Sequence, residues 1–125
     1  MYVPFTSHTS NLFVECKTLK VSDLVLMYTY IFMYHYHTNA LPDIFNDLFS
    51  TNASYHSYFT RQHTDLHQFL PKTTISQNSL RCNGIKLWND LDNDIKLSKT
   101  LDKFKKLLKN EMFLQYKNHA QLNNE

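Results

Sequence analysis

Residues Ser79–Lys109 read SLRCNGIKLWNDLDNDIKLSKTLDKFKKLLK, joining the chain's one Gly, its one Trp and a strongly basic amphipathic stretch in a single block. The second half of the block decides the fold class. At 100° per residue Leu101, Phe104, Leu108 and Met112 fall on one stripe, while Lys99, Lys103, Lys106 and Lys117 gather on the opposite side. Ser98 or Thr100 can cap this helix, which the pattern carries to about Tyr116. In the first half, Ile85–Leu91 reads as a short helix that Trp88 anchors in the core together with Leu87 and Leu91. Asn83-Gly84 is formally a hairpin signal, but a helical pattern follows it, so it reads as the turn that opens this short helix.

Outward from the block the texture changes. Phe69-Leu70-Pro71 and Leu80-Arg81-Cys82 read as short extended pieces on either side of the polar stretch 73–78, and the residue before Pro71 is biased towards extended conformations. Residues 50–57 are polar and turn-like. Pro42 suits the first turn of a second short helix, with Ile44, Phe45, Leu48 and Phe49 as its apolar face. The run Leu24–Tyr36, LVLMYTYIFMYHY, is apolar almost throughout. Its alternating Tyr28, Tyr30, Phe32, Tyr34 and Tyr36 also fit a strand, so length and the capping residue Ser22 decide for a helix from about Asp23 to His37, ended by Asn39. A helix apolar on all sides is expected at the centre of the fold. The predicted fold is mainly α, a small single domain of about four helices with a short extended or two-stranded region in the middle. Its parts are an aromatic-rich helical segment 1–57, a loop or extended segment 58–83, the Trp helix and basic helix over 84–117, and a frayed polar tail 118–125.

Composition narrows the function. Of 125 residues, 42% are hydrophobic and 19% charged, enough apolar surface for a packed core. A single Gly removes Gly-rich phosphate loops and disfavours barrels built from many tight turns. The net charge of +2 is unevenly spread: 1–95 carry −2, whereas 96–117 carry seven Lys against Asp102 and Glu111. That basic end suits an anionic partner, and its bland counterpart is a solvated helix face. Two cysteines, Cys16 and Cys82, make no disulfide framework, and the opening residues lack the pattern of a secretory leader, so an intracellular chain is expected. The apolar run of about 13 residues falls short of the roughly 20 that span a bilayer, so no membrane role is expected.

No catalytic constellation is evident. His63 and His67 stand at i, i+4 with His56 nearby, yet no Glu adjoins His63 and the cysteines are isolated, so these read as surface or turn histidines and no metal is assigned. His35 and His37 border the aromatic core. The i, i+2 spacing of Asp90, Asp92 and Asp94 points successive carboxylates apart, as solvated or capping residues. Trp88 could stack on a base and Arg81 or Lys86 could meet phosphate, but the lysine face is the better nucleic-acid candidate, binding phosphates without sequence preference.

The block resembles the carboxy-terminal tail, just after the polymerase thumb, of reverse-transcriptase reading frames from non-LTR (LINE-type) retrotransposons. The residues that carry the resemblance are Arg81, Gly84, Lys86, Trp88-Asn89-Asp90-Leu91, Ile95-Lys96 and Phe104-Lys105-Lys106-Leu107-Leu108-Lys109. Upstream, His8-Thr9-Ser10-Asn11-Leu12-Phe13, Leu19-Lys20-Val21-Ser22-Asp23-Leu24, Leu41-Pro42-Asp43-Ile44-Phe45, Tyr58-Phe59-Thr60-Arg61 and Leu70-Pro71 are similar to successive segments of that tail. The chain departs from the pattern at Phe59, Cys82, Ile85 and Asp92. The resemblance implies a segment without the family's Asp-Asp active site, and no adjacent Asp pair occurs here. It implies no enzyme activity and no cofactor, and it makes Gly84, Trp88, Asn89, Leu91 and Phe104 motif residues. The implied partners are an RNA or DNA backbone, met by Lys99, Lys103, Lys106, Lys117, Lys86 and Arg81, or else the polymerase domain or a second copy. The competing reading is a small helical protein–protein interaction module with no nucleic-acid role, resting on the aromatic helix.

Overall fold

The structure, a computed structural model, describes residues 9–122. Their elements are α1 (Thr9–Glu15), α2 (Val21–His37), a 3-10 turn (Asp43–Phe45), α3 (Asn52–Tyr55), α4 (Thr74–Gln77), α5 (Leu80–Asp90), α6 (Asn93–Lys96) and α7 (Leu101–Leu122). The chain is mainly α, as the periodicity predicts. Four helices have seven residues or more, while α3, α4 and α6 are single turns. The chain forms two compact units, with boundaries between Met27 and Tyr28, inside α2, and between Ser98 and Lys99.

In the first unit α1 packs on α7. The stripe Phe104, Leu108, Met112 and Tyr116 is buried along α7, and Leu19 is buried in the link that follows α1. Lys17 closes α1 in the left-handed region at φ 53°, with Thr18 N donating to Phe13 O and Lys17 N to Val14 O, the paired bonds of a Schellman cap. Asn39 closes α2 in the same way, at φ 54°, with Ala40 N on His35 O and Asn39 N on Tyr36 O. Asn39 was readable as a terminator because its side chain tolerates that region. Lys17 carries no such signal. At the other end α2 starts two residues earlier than the capping pattern predicts. Lys20 O accepts the first bonds, from Asp23 N and Leu24 N, so Ser22 lies inside the first turn and caps nothing.

The second unit is built on Met33, Tyr34, Phe49, Leu66, Ile85, Trp88 and Ile95, all buried. Tyr34 Oη donates to Ser98 O at 2.9 Å, pinning residues 64 apart in sequence. Phe45 and Phe49 set their rings edge-on to Phe32 and Tyr36, at 5.7 and 4.8 Å.

Several sequence expectations are corrected. The extended middle reduces to one antiparallel bridge, Thr51 with Leu66, and among the described residues there is no ladder. Leu80-Arg81-Cys82 is helical because Ser79 caps α5, its Oγ accepting from Cys82 N, and α5 then runs through Asn83-Gly84 without a turn. Thr73 starts α4 in the same manner inside a stretch read as extended, and the polar 50–57 contain α3. The helix expected after Pro42 is a 3-10 turn with i→i−3 bonds, and Ile44 is exposed rather than on an apolar face. α7 continues past Tyr116 through most of the tail expected to fray. Nor is α2 buried on all sides. Val21, Leu24, Val25 and Tyr28 are exposed, because the single apolar surface of each small unit takes up only part of the helix. Residues 1–8 and 123–125, which include His8 of the resemblance, lie outside the described residues.

Candidate nucleic-acid interface

The predicted separation of faces on α7 is present. Lys103, Lys106 and Lys117 are exposed, opposite the buried stripe, and the acidic residues of the helix, Asp102 and Glu111, fall outside that lysine row. At 1.5 Å per residue the row runs roughly 21 Å along the axis, with Lys103 and Lys106 close together and Lys117 apart. Lys99 is exposed but is not on the helix. Thr100 is the cap, its Oγ accepting from Lys103 N at 3.3 Å, so Lys99 lies before the helix, beside its positive dipole end. Ser98, the other capping candidate, caps nothing. Its Oγ is buried with no hydrogen-bond partner.

The stripe is locked to the start of α2 by one side chain. Tyr116 Oη accepts from Lys20 N at 3.1 Å and donates to the Asp23 carboxylate. The Lys20 ammonium lies 5.0 Å from the centre of the same ring. Burial raises the Tyr116 pKa above the usual tyrosine range; the hydrogen bond to Asp23 adds to the rise, and the Lys20 amide opposes it. This anchoring leaves the opposite face of α7 to the lysines.

The motif residues of the second unit do structural work. Gly84 is buried inside α5. A Cβ there would meet Met33 Sδ at 3.0 Å, so the missing side chain is what lets α5 close on α2. Trp88 is 5% exposed, with His37 tilted against it at 5.4 Å and the Lys96 ammonium 6.0 Å from its ring, so it anchors the core and presents no open face for a base. Asn89 mimics a strand edge. Its Oδ1 accepts from Leu66 N at 3.2 Å and its Nδ2 donates to Leu66 O at 2.9 Å. Leu91 ends α5 in an extended conformation, its N–H donating to Trp88 O. Lys96 Nζ donates to Asn89 O. Arg81 and Lys86 are exposed, and the Arg81 guanidinium sits 4.6 Å from the Phe69 ring centre. Both belong to the second unit, whereas Lys99, Lys103, Lys106 and Lys117 belong to the first. Asp92 caps α6, its Oδ1 accepting from Asp94 N.

A cavity of about 470 Å³ opens beside Trp88, lined by Tyr36, His37, Asn46, Asp65, Asn89 and Lys96 among others. Much of its polar chemistry is already committed: Tyr36 Oη donates to Asn46 O and Phe49 O, and the Asn89 amide and Lys96 serve the backbone as above. Burial, and then the charge of Asp47, raises the Tyr36 pKa. His63 and His67 do not share a helix face, since both lie in the irregular segment after α3. Among the described residues no group of three or more His, Cys, Asp or Glu is placed to hold a metal ion, and no helix is long and apolar enough to cross a membrane.

Residue-by-residue reading missed the exposed aromatics at the end of α3 and in the segment after it. Tyr55, Tyr58 and Phe59 are 60%, 66% and 86% exposed. Their only sequence signal is three rings inside an otherwise polar stretch. No protein-family model, no curated protein and no solved structure matches the chain.

Proposed function

We propose that the chain is a non-catalytic segment akin to the carboxy-terminal tail of a non-LTR retrotransposon reverse transcriptase, and that it binds the nucleic-acid backbone weakly, without sequence preference, through the lysine face of α7. The observation that carries the binding is the exposed row Lys103, Lys106 and Lys117 directly opposite a fully buried stripe. The origin rests on the ordered motif residues of the sequence. What supports it in the structure is that Gly84, Trp88 and Asn89 each fill a defined place in the second unit and Phe104 one in the first. A non-catalytic role fits carboxylates that are dispersed or engaged in capping, where two-metal nucleotide transfer needs them clustered.

Anisotropy with a labelled duplex tests the binding. Three to four neutralised phosphates give an affinity that falls roughly 40- to 150-fold between 50 and 200 mM salt. Reversing Lys99, Lys103, Lys106 and Lys117 to Glu abolishes it, and binding that survives the reversal at low salt removes this reading.

A second reading, an interaction module without a nucleic-acid role, is favoured by the exposed Val21, Leu24 and Val25 on one side of α2. A sizing column that returns a clean monomer with no binding of an apolar dye disposes of it.

A further inference from the structure

We propose that the segment 52–67 is a stacking platform for single-stranded nucleic acid, with Tyr55 and Phe59 as the rings on which unpaired bases lie. It shares only the class of ligand with the reading above, and it uses other residues in the other unit.

Each exposed ring of this segment is backed by an imidazole. Tyr55 lies nearly parallel to His67, at 20° with centroids 3.9 Å apart, Phe59 rests on His63 at 3.8 Å, and Tyr58 is tilted against His56 at 5.5 Å. Two of the backing rings are themselves fixed. His67 Nδ1 is 3.1 Å from Asn52 Oδ1, and His63 Nδ1 is 3.0 Å from Thr60 O. The loop beneath is tied down by backbone bonds from Asn52 N to Asp65 O, Ala53 N to His63 O and His67 N to Ser50 O, and by Asn52 Nδ2 to Gln62 O. So two large apolar rings are held in place with most of their surface in water, where an ordinary fold would bury them. Ordering them in advance lowers the entropy cost of stacking a ligand on them.

The surroundings select the ligand. No Asp or Glu occurs between Asp47 and Asp65, while Arg61 and three histidines fall within 56–67, so the stretch is locally free of anionic repulsion except at its Asp65 edge. An open cavity of about 430 Å³ runs past Tyr58, His56 and His67, with Asp65 also in its wall; the Asn52 and Asn89 amides there are already bonded within the fold, which leaves the Gln62 and Gln68 side chains to offer the donors and acceptors that base edges require. Flat rings, a cation and amides together make the surface that unpaired bases recognise, whereas a duplex hides its base faces. A protein partner is the other class that exposed aromatics serve. The Gln62 and Gln68 amides of the cavity, with Arg61 two residues from Phe59 in the chain, favour the nucleic acid.

The test uses the whole chain and a labelled oligothymidine of about twelve nucleotides, within the usual site size, next to a duplex of equal length. Tyr55→Ala and Phe59→Ala should each weaken single-strand binding roughly tenfold, leaving duplex binding and the salt slope unchanged, while Tyr55→Phe and Phe59→Tyr retain it. Both rings are exposed, and unchanged circular dichroism checks that the variants fold. Single-strand affinity unmoved in the Ala double variant, equal losses on both oligonucleotides, or a chain that binds duplex but no single strand each overturn the proposal, and a protein-only surface produces the first or the last. Combining the rings with the lysine reversals separates the two readings. Ring-sensitive single-strand binding that survives the reversals keeps the platform, duplex binding that survives them removes the lysine face, and single-strand binding that depends on the lysines but not on the rings removes the platform.

Discussion

α7 and α5 come from one continuous block and are both amphipathic, yet they hold their shape by different means. α7 carries its own specification: Phe104, Leu108, Met112 and Tyr116 recur every four residues and all are buried. α5 has Asn83-Gly84 at its centre, a pair that costs a helix about 1 kcal/mol or more in propensity. It stays helical with Ser79 capping its start, and it packs closely on α2 because Gly84 presents no Cβ to Met33 Sδ, which would lie 3.0 Å from one. A helix with its own period can be read locally, whereas one completed by a neighbour's side chain shows in its sequence only the residue that was left out.

The sharpest way to break this contrast is to attack the α7 stripe. Phe104→Ala should destabilise the chain by about 3–5 kcal/mol, seen as a large drop in the urea midpoint. A loss under 1 kcal/mol would mean that the stripe is not what holds α7. Next is Gly84→Val, expected to cost about 1–3 kcal/mol by overpacking against Met33, with Gly84→Ala near neutral because its helix-propensity gain is offset by the 3.0 Å approach. If Val there stabilises the protein, α5 does not depend on close approach and the comparison fails.

Smallest is Tyr116→Phe, which should cost about 1–2 kcal/mol near neutral pH by removing the bonds to Asp23 and Lys20. It also carries a pH signature. The folded pKa of Tyr116 is raised, so its stabilisation is whole below the unfolded tyrosine value of about 10 and is lost as pH climbs through and above that value, where the unfolded chain ionises first. Tyr30 and Tyr36 act in the same direction, raised by burial and then by Asp90 and Asp47 respectively. The variant's stability should therefore fall less steeply than wild type above about pH 10, measured by denaturant titration at several alkaline pH values. Coincident alkaline curves would show that Tyr116 is not held as described.

Legibility follows the same division across the chain. The lysine face was readable because charge and apolar period separate on one helix, and Asn39 because its residue type suits a left-handed cap. The Lys17 cap was not, since lysine has no preference for that conformation and Thr18 and Lys17 are held there by carbonyls of α1. The backed rings of 52–67 were not readable either. Nothing local indicates that His63 and His67 would stand behind Phe59 and Tyr55 rather than beside each other.

The amino-acid order by itself determined that this chain is mainly helical, where α7 turns its lysines, and that Trp88 and Phe104 are core residues, because periodicity and hydrophobicity act over a few residues. Only the tertiary structure decided that Asn83-Gly84 stays helical, that Asn89 pairs with the backbone of Leu66, and that three aromatic rings remain in water on imidazole supports. Each of these depends on a partner distant in the chain or across a fold of it, whose approach no local pattern encodes.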